Sequence, residues 1–426
     1  MNKTTNPSIE SFLPVEENSH FPIQNLPYGV FQPCDNSMPR IGVLIGDWIL
    51  DLSVLESEKI FADVLGGDSS LFAQRYLNTF MTKGTSVWQA VREIIHDLLR
   101  DENPRLSDDL ALRNRALKRA STSRMLLPVQ IGDYTDFYSS REHATNVGKI
   151  FRGEENALPP NWLHLPIAYH GRASSVVVSG TPIYRPQGQR YDRTSEKPVF
   201  GPSTELDYEL ESGFLIGVGN QAGNPISIDD AGKHIFGMVL VNDWSARDIQ
   251  RWEYQPLGPF LGKNFATSIS PWIVTMEALE PFRCEGPIQN PQPLDYLKHK
   301  ENRSYNITLE VSLKTEKMDS TQRICRSNFK YLYWDINQQL AHHTVNGCNL
   351  RTGDLLASGT ISGPAEDSFG SLLETTWQGT KPLQLPAGET RRFLEDGDTV
   401  IISGWCQGED YRVGFGEVVG KIYPAK

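Results

Sequence analysis

Apolar positions along this chain follow two rhythms, and the change from one to the other falls about a third of the way in. Val87, Val91, Ile94, Ile95 and Leu98 recur at three- and four-residue spacing, which predicts an amphipathic helix with one buried stripe. Ahead of it, 29–33 and 41–52 read as short strands with turn residues between them, so a small β unit opens the chain. Residues 108–120 predict a further helix, because acids come first and bases last, as the helix dipole favours. After 121–128 helix formers give way to β-branched and aromatic runs punctuated by Gly and Pro, such as 174–178, 237–241, 307–313 and 399–404. The division is therefore predicted there, with one unit at 1–127 and a mainly β unit at 128–426. The polar, Pro-rich stretch 281–303 reads as an insertion or loop.

With 426 residues the chain can build two cores. No apolar run approaches a membrane span, and the first thirty residues lack a basic start followed by an apolar block, so a cytoplasmic chain with no membrane partner is expected. Forty-one Lys and Arg against 52 Asp and Glu give a net charge of −11, a field that repels phosphate backbones and argues against nucleic acid. The five cysteines are scattered and never form C-x-x-C, so free thiols are expected rather than disulfides or a zinc site.

Three clusters could carry chemistry. Glu205, Asp207, Glu209 and Glu211 alternate with apolar residues, so as one strand all four carboxylates share a face. Such a face is either a solvated edge or, if buried, a site that calls for a cation; Phe214 and the residues after it carry the strand into apolar surroundings. In the stretch from Asp136 to His143, Ser139 and Glu142 form a capping-box pattern and Gly148 can end the helix. That places His143 in a first helical turn beside Asp136 and Tyr138; a capped helix with an inert histidine is the bland alternative. Asp243, Trp244, Arg247 and Gln250 follow an apolar strand, and Lys263 ends a Gly/Pro-rich approach, so Arg247, Gln250 and Lys263 offer donors for a developing oxyanion. An ordinary strand-to-helix turn capped by Asp243 fits the same text. No G-x-S-x-G, H-E-x-x-H or G-x-x-x-x-G-K-[ST] motif is present, which removes support from serine-hydrolase, zincin and P-loop chemistry.

Together DYTDFYSSREHATNVG from Asp133, NWLHLPIAYHGRASSVVVSGTPI from Asn161, LDYELE from Leu206 and VNDWSARDIQRWEYQPLGPFLGK from Val241 resemble the fumarylacetoacetate hydrolase family, with residues near Ser358–Gly363 and Glu374 also fitting. The resemblance runs over nearly the whole chain. It implies a mainly β (α+β) protein, with an N-terminal SH3-like small barrel, a C-terminal β-rich fold particular to the family, and a homodimer. It further implies Asp136, Glu209, Glu211 and Asp243 as ligands of Ca²⁺ or Mg²⁺, hard cations that suit oxygen donors. His143 with Glu374 is similar to the family's water-activating pair, and Arg247, Gln250 and Lys263 to its oxyanion donors. Tyr138, Arg152, Tyr169, Arg247, Gln250 and Thr360 match its substrate contacts, and Asp243, Trp244, Lys263 and Thr267 lie near a second, structural cation. The expected activity is hydrolysis of the carbon–carbon bond of a β-diketo dicarboxylic acid. Acylpyruvate hydrolases and related keto-acid decarboxylases or isomerases share such ligands. A noncatalytic metal-stabilised binding module is the alternative from another class.

Overall fold

The computed structural model describes residues 3–426 apart from 36, 67–69, 193 and 300–303. The opening strand is Tyr28–Pro33, as its pattern predicts. The second predicted strand is instead a hairpin, Arg40–Ile45 and Trp48–Asp51, turned at Gly46 with φ of +50°. The periodic segment forms the helix Thr85–Leu99, which buries Trp88, Val91, Ile95 and Leu98. The helix predicted over 108–120 is shorter, Leu110–Ala116, with Asp109 capping the Leu112 N–H. The chain then extends into the strand Leu117–Arg119, which pairs with Trp48–Asp51. Tertiary pairing there overrides the local helical pattern.

The protein is mixed α+β and rich in strands. Its largest sheet joins the two parts of the chain, because Tyr28–Pro33 pairs antiparallel with Trp272–Thr275, and that strand pairs with Ile235–Asp243. The ladder continues through Leu210–Ile216, Leu355–Ala357, Tyr134–Phe137 and Ala168–His170. Alternation then sorts the residues of Leu210–Ile216. Leu210, Phe214 and Ile216 face one core, shared with the second, five-stranded sheet built on Thr308–Lys314, Thr399–Gln407 and Arg412–Tyr423. Leu215 faces another, which the N-terminal helices and strands complete. Residues 281–299 are not merely loop: Leu297 is buried, and Gln289 bonds the Tyr333 carbonyl and the Gln338 side chain. The end of that stretch, 300–303, lies outside the described residues. All five cysteines are free. Among the described residues no helix is long and apolar enough to cross a membrane.

Candidate active site

Register brings three of the acids together. Asp136 sits opposite Ala357 and Tyr169, Glu211 opposite Val241, and Asp243 opposite Thr267. Alternation from these pairs puts Asp136, Glu211 and Asp243 on one face at one end of the large sheet. Glu209, in the break between Leu206–Asp207 and Leu210–Ile216, completes the group. One oxygen from each of the four carboxylates lies within 4.8 Å of the others, and all four residues are buried. The strand predicted over 205–211 is thus interrupted, and its acids do not share one face. Glu205 turns outward to Arg251, and Asp207 turns to Arg247 and to backbone N–H groups.

The cluster divides electrically into two halves. Lys263 bonds Glu209 and, at 2.9 Å, Asp243, while Arg247 Nη1 reaches Glu209 at 2.6 Å. Burial alone would raise the Glu209 carboxyl, but these two cations outweigh it and hold it far below the usual range. Burial, then the charge of Asp243, pushes Asp136 well up; burial and Asp136 do the same to Glu211. Among the described residues, Asp136 Oδ1 and both oxygens of Glu211 have no hydrogen-bond partner. Buried, unpaired carboxylate oxygens beside other carboxylates call for positive charge. A divalent cation fits: its two charges match the two acids left without a basic partner among the described residues, and an all-oxygen donor set suits a hard cation.

His143 lines the same cavity of about 380 Å³ as Asp136, Glu209 and Glu211. Its helix is Arg141–Arg152, and the cap is Ser140, not Ser139: Ser140 Oγ accepts the His143 N–H. Ser139 is spent elsewhere, its Oγ accepting from Gln339 Nε2 and its backbone carbonyl from the Tyr333 N–H. Gly148 lies within the helix, packed so close to the Ala157 carbonyl that no side chain fits, and Gly153 at φ +82° ends it. His143 Nδ1–H donates to Glu374 Oε2 at 2.7 Å, although 231 positions separate the two residues. Glu374 also accepts from Asn146, Ser362 and Ser371. Burial would raise its carboxyl, but His143 and these donors prevail and hold it below its ordinary value. With Nδ1 engaged, Nε2 is the nitrogen left for a proton from the cavity. Sequence reading missed Asn146, Ser362 and Ser371. The three-residue spacings 143 to 146 and 371 to 374 were signals for two of them.

The remaining predicted residues gather around the same cavity. Tyr138, Arg152, Tyr169, Arg247, Gln250, Lys263 and Thr360 line it, with Val147, Phe151, Ile167 and Leu257 supplying apolar wall. Lys263 arrives because Gly262 presses on the Gln250 backbone, where an added Cβ would sit 2.8 Å from Cα. Ala246, rather than Asp243, precedes the helix Arg247–Glu253, and its N–H bonds the Gly262 carbonyl. Thr360 follows Gly359, whose φ of +75° and contact with the Phe137 carbonyl exclude a side chain; Thr360 Oγ1 is buried without a partner. Arg152 is exposed and, among the described residues, bonds only the carbonyls of Asn156 and Ala157. Asp243 accepts from Tyr169, Lys263 and Thr267, whereas the Trp244 indole is turned into the core, donating to Ser268.

Comparison with known proteins covers nearly the whole chain. Residues 133–422 match the family model described as fumarylacetoacetate (FAA) hydrolase C-terminal, and residues 24–128 the one described as fumarylacetoacetase N-terminal. The chain is 58% identical to fumarylacetoacetase of Bos taurus across 97% of this chain and 99% of that one. It is 55% identical to fumarylacetoacetase of Arabidopsis thaliana across 98% of this chain and 99% of that one. In fold it is similar to the fumarylacetoacetate hydrolase from psychrophilic Exiguobacterium antarcticum, with a TM-score of 0.52 and 17% identity over 94% of this chain and all of that one.

Proposed function

The chain belongs to the fumarylacetoacetase family, and from that premise we propose that it hydrolyses the carbon–carbon bond of 4-fumarylacetoacetate to give fumarate and acetoacetate. The observation that carries this reading is one cavity lined both by His143, which Glu374 holds from behind, and by Asp136, Glu209 and Glu211 of a half-neutralised cluster of four carboxylates.

In this reading Asp136, Glu209, Glu211 and Asp243 hold Ca²⁺ or Mg²⁺. When bound, such an ion supplies Lewis-acid polarisation of a 1,3-diketo group and compensates charge on the enolate leaving group. His143 accepts the proton of the attacking water at Nε2, and Glu374, kept ionised, fixes the ring and stabilises the imidazolium. Arg247, Gln250 and Lys263 stand where the attacked carbonyl becomes an oxyanion, and preorganised donors there are worth roughly 3 kcal/mol each. Tyr138, Arg152, Tyr169 and Thr360 orient the substrate, Arg152 having no carboxylate partner among the described residues to compete with the substrate's. A second cation beside Asp243 would draw on Thr267 Oγ1 and main-chain oxygens, since Lys263 is itself positive and the Trp244 indole is occupied. The family resemblance supports a homodimer in the cytoplasm, and the exposed Phe200 and Phe260 are apolar surface that such an interface would cover.

The direct test incubates purified protein with 4-fumarylacetoacetate and assays acetoacetate and fumarate, with each divalent ion in turn. Equal release of both products is expected. Release of neither with any ion overturns the assignment.

A further inference from the structure

One buried carboxylate lies behind the cavity rather than in its wall. Asp207 is fully buried, and its four partners belong to two different parts of the site. Oδ1 accepts the backbone N–H of Leu372 at 2.8 Å and of Tyr208 at 2.8 Å. Oδ2 accepts the N–H of Leu373 at 2.9 Å and Nε of Arg247 at 3.0 Å. Leu372 and Leu373 open the helical turn Leu372–Thr375 that carries Glu374, so Asp207 satisfies two N–H groups that a helix start leaves without intrahelical acceptors. Its grip on the Nε edge of Arg247 leaves Nη1 for Glu209 and Gln250.

We infer that Asp207 is a positioning residue that fixes the His143–Glu374 pair relative to Arg247, without touching substrate itself. The inference rests on the reaction proposed above, in which the proton acceptor and the oxyanion donors must meet one carbonyl from two sides. Helix capping alone does not call for this residue, because Ser371 already accepts the Glu374 N–H. A buried charge is costly, and four converging donors are matched only by a group with two acceptor oxygens and no hydrogen. An amide in its place must turn its NH₂ either toward Leu372 and Tyr208 or toward Leu373 and Arg247, so one of the two arms is released.

The test compares wild type with Asp207→Asn and Asp207→Glu, each checked for metal content and thermal unfolding. Asp207→Glu keeps the counter-charge of Arg247 and so guards against simple misfolding. In both folded variants kcat should fall by ~10- to 100-fold, the scale of a small misplacement of reacting groups, while KM moves less than about threefold and bound metal is unchanged. Double-mutant cycles of Asp207→Asn with Glu374→Gln and with Arg247→Lys should both be less than multiplicative, a coupling that general loosening of the fold would not produce. A folded variant with wild-type kcat, or losses that multiply in either cycle, overturns the inference while leaving the reaction intact. A wild type that turns over no 4-fumarylacetoacetate removes the reaction and the inference together.

Discussion

Replacing Glu374 by Gln isolates what its charge does, because the pocket can accept the amide. Oε2 receives His143, Ser362 and Ser371, while Oε1 receives only Asn146. In Glu374→Gln, an amide oxygen placed where Oε2 stands keeps three donors, and a flip of the Asn146 amide presents an acceptor to the new NH₂. Ring geometry and tautomer should therefore survive, and what is lost is a negative charge beside the imidazolium that forms when water is deprotonated. The Nδ1–Oε2 distance of 2.7 Å puts the centres of charge ~4 Å apart, worth about 4 kcal/mol at an effective dielectric of about 20. At about 1.4 kcal/mol per decade, kcat should fall about a thousandfold. Product release followed under saturating substrate reads kcat, and KM and bound metal should hold near wild-type values. The same assay on His143→Ala and on the double variant completes a cycle. Once the base is gone, losing Glu374 should cost little more. A Glu374→Gln enzyme within about threefold of wild type, or losses that multiply in the cycle, would refute a charge-stabilised base.

Other expectations follow from the split cluster. Because burial and the neighbouring carboxylates hold the Asp136 and Glu211 carboxyls high, cation binding should expel protons and weaken steeply toward acid pH; calorimetry in buffers of different ionisation enthalpy reads the proton count. Asp243→Ala strips an acceptor from Lys263, Thr267 and Tyr169, and should abolish metal retention in elemental analysis together with activity. Lys263→Met should lower kcat roughly a hundredfold or more with a smaller change in KM, whereas a pure KM effect would assign Lys263 to substrate carboxylate recognition. Glu374, held below its ordinary value of 4.5, contributes stability that is present above that pH and lost as pH falls through its folded value. Acid unfolding curves of Glu374→Gln should lack that increment.

The sequence made the family and the chemical types of the site legible, because acids, imidazole and guanidinium stand in dense local runs. Their geometry was less so. Alternation suggested one acidic face from Glu205 to Glu211, but the chain breaks at Tyr208–Glu209, Glu205 pairs half-buried with Arg251, and Asp207 lies behind the site. Local capping rules favoured Ser139, whereas contacts with the chain near Tyr333 and Ser362 decide for Ser140. Gly148 reads as a helix stop, yet it is needed because Ala157 crosses against the helix there. Each miss arises where a partner outside the local run settles a choice that adjacent residues leave open.

The continuous ladder from Tyr28–Pro33 through Trp272–Thr275 to Ile235–Asp243 also bears on folding cooperativity. The strand that ends in Asp243 lies one strand away from a pairing whose other member belongs to the N-terminal part of the chain. A version lacking the first 127 residues would leave the edge of Trp272–Thr275 bare. It would also uncover Leu215, Phe236, Val239 and Ile273, which share a core with the N-terminal helices. An apolar strand with an open edge recruits other strands, so such a fragment is set to aggregate. The two parts should therefore melt in one transition, and the acidic cluster inherits rigidity from residues that never approach it.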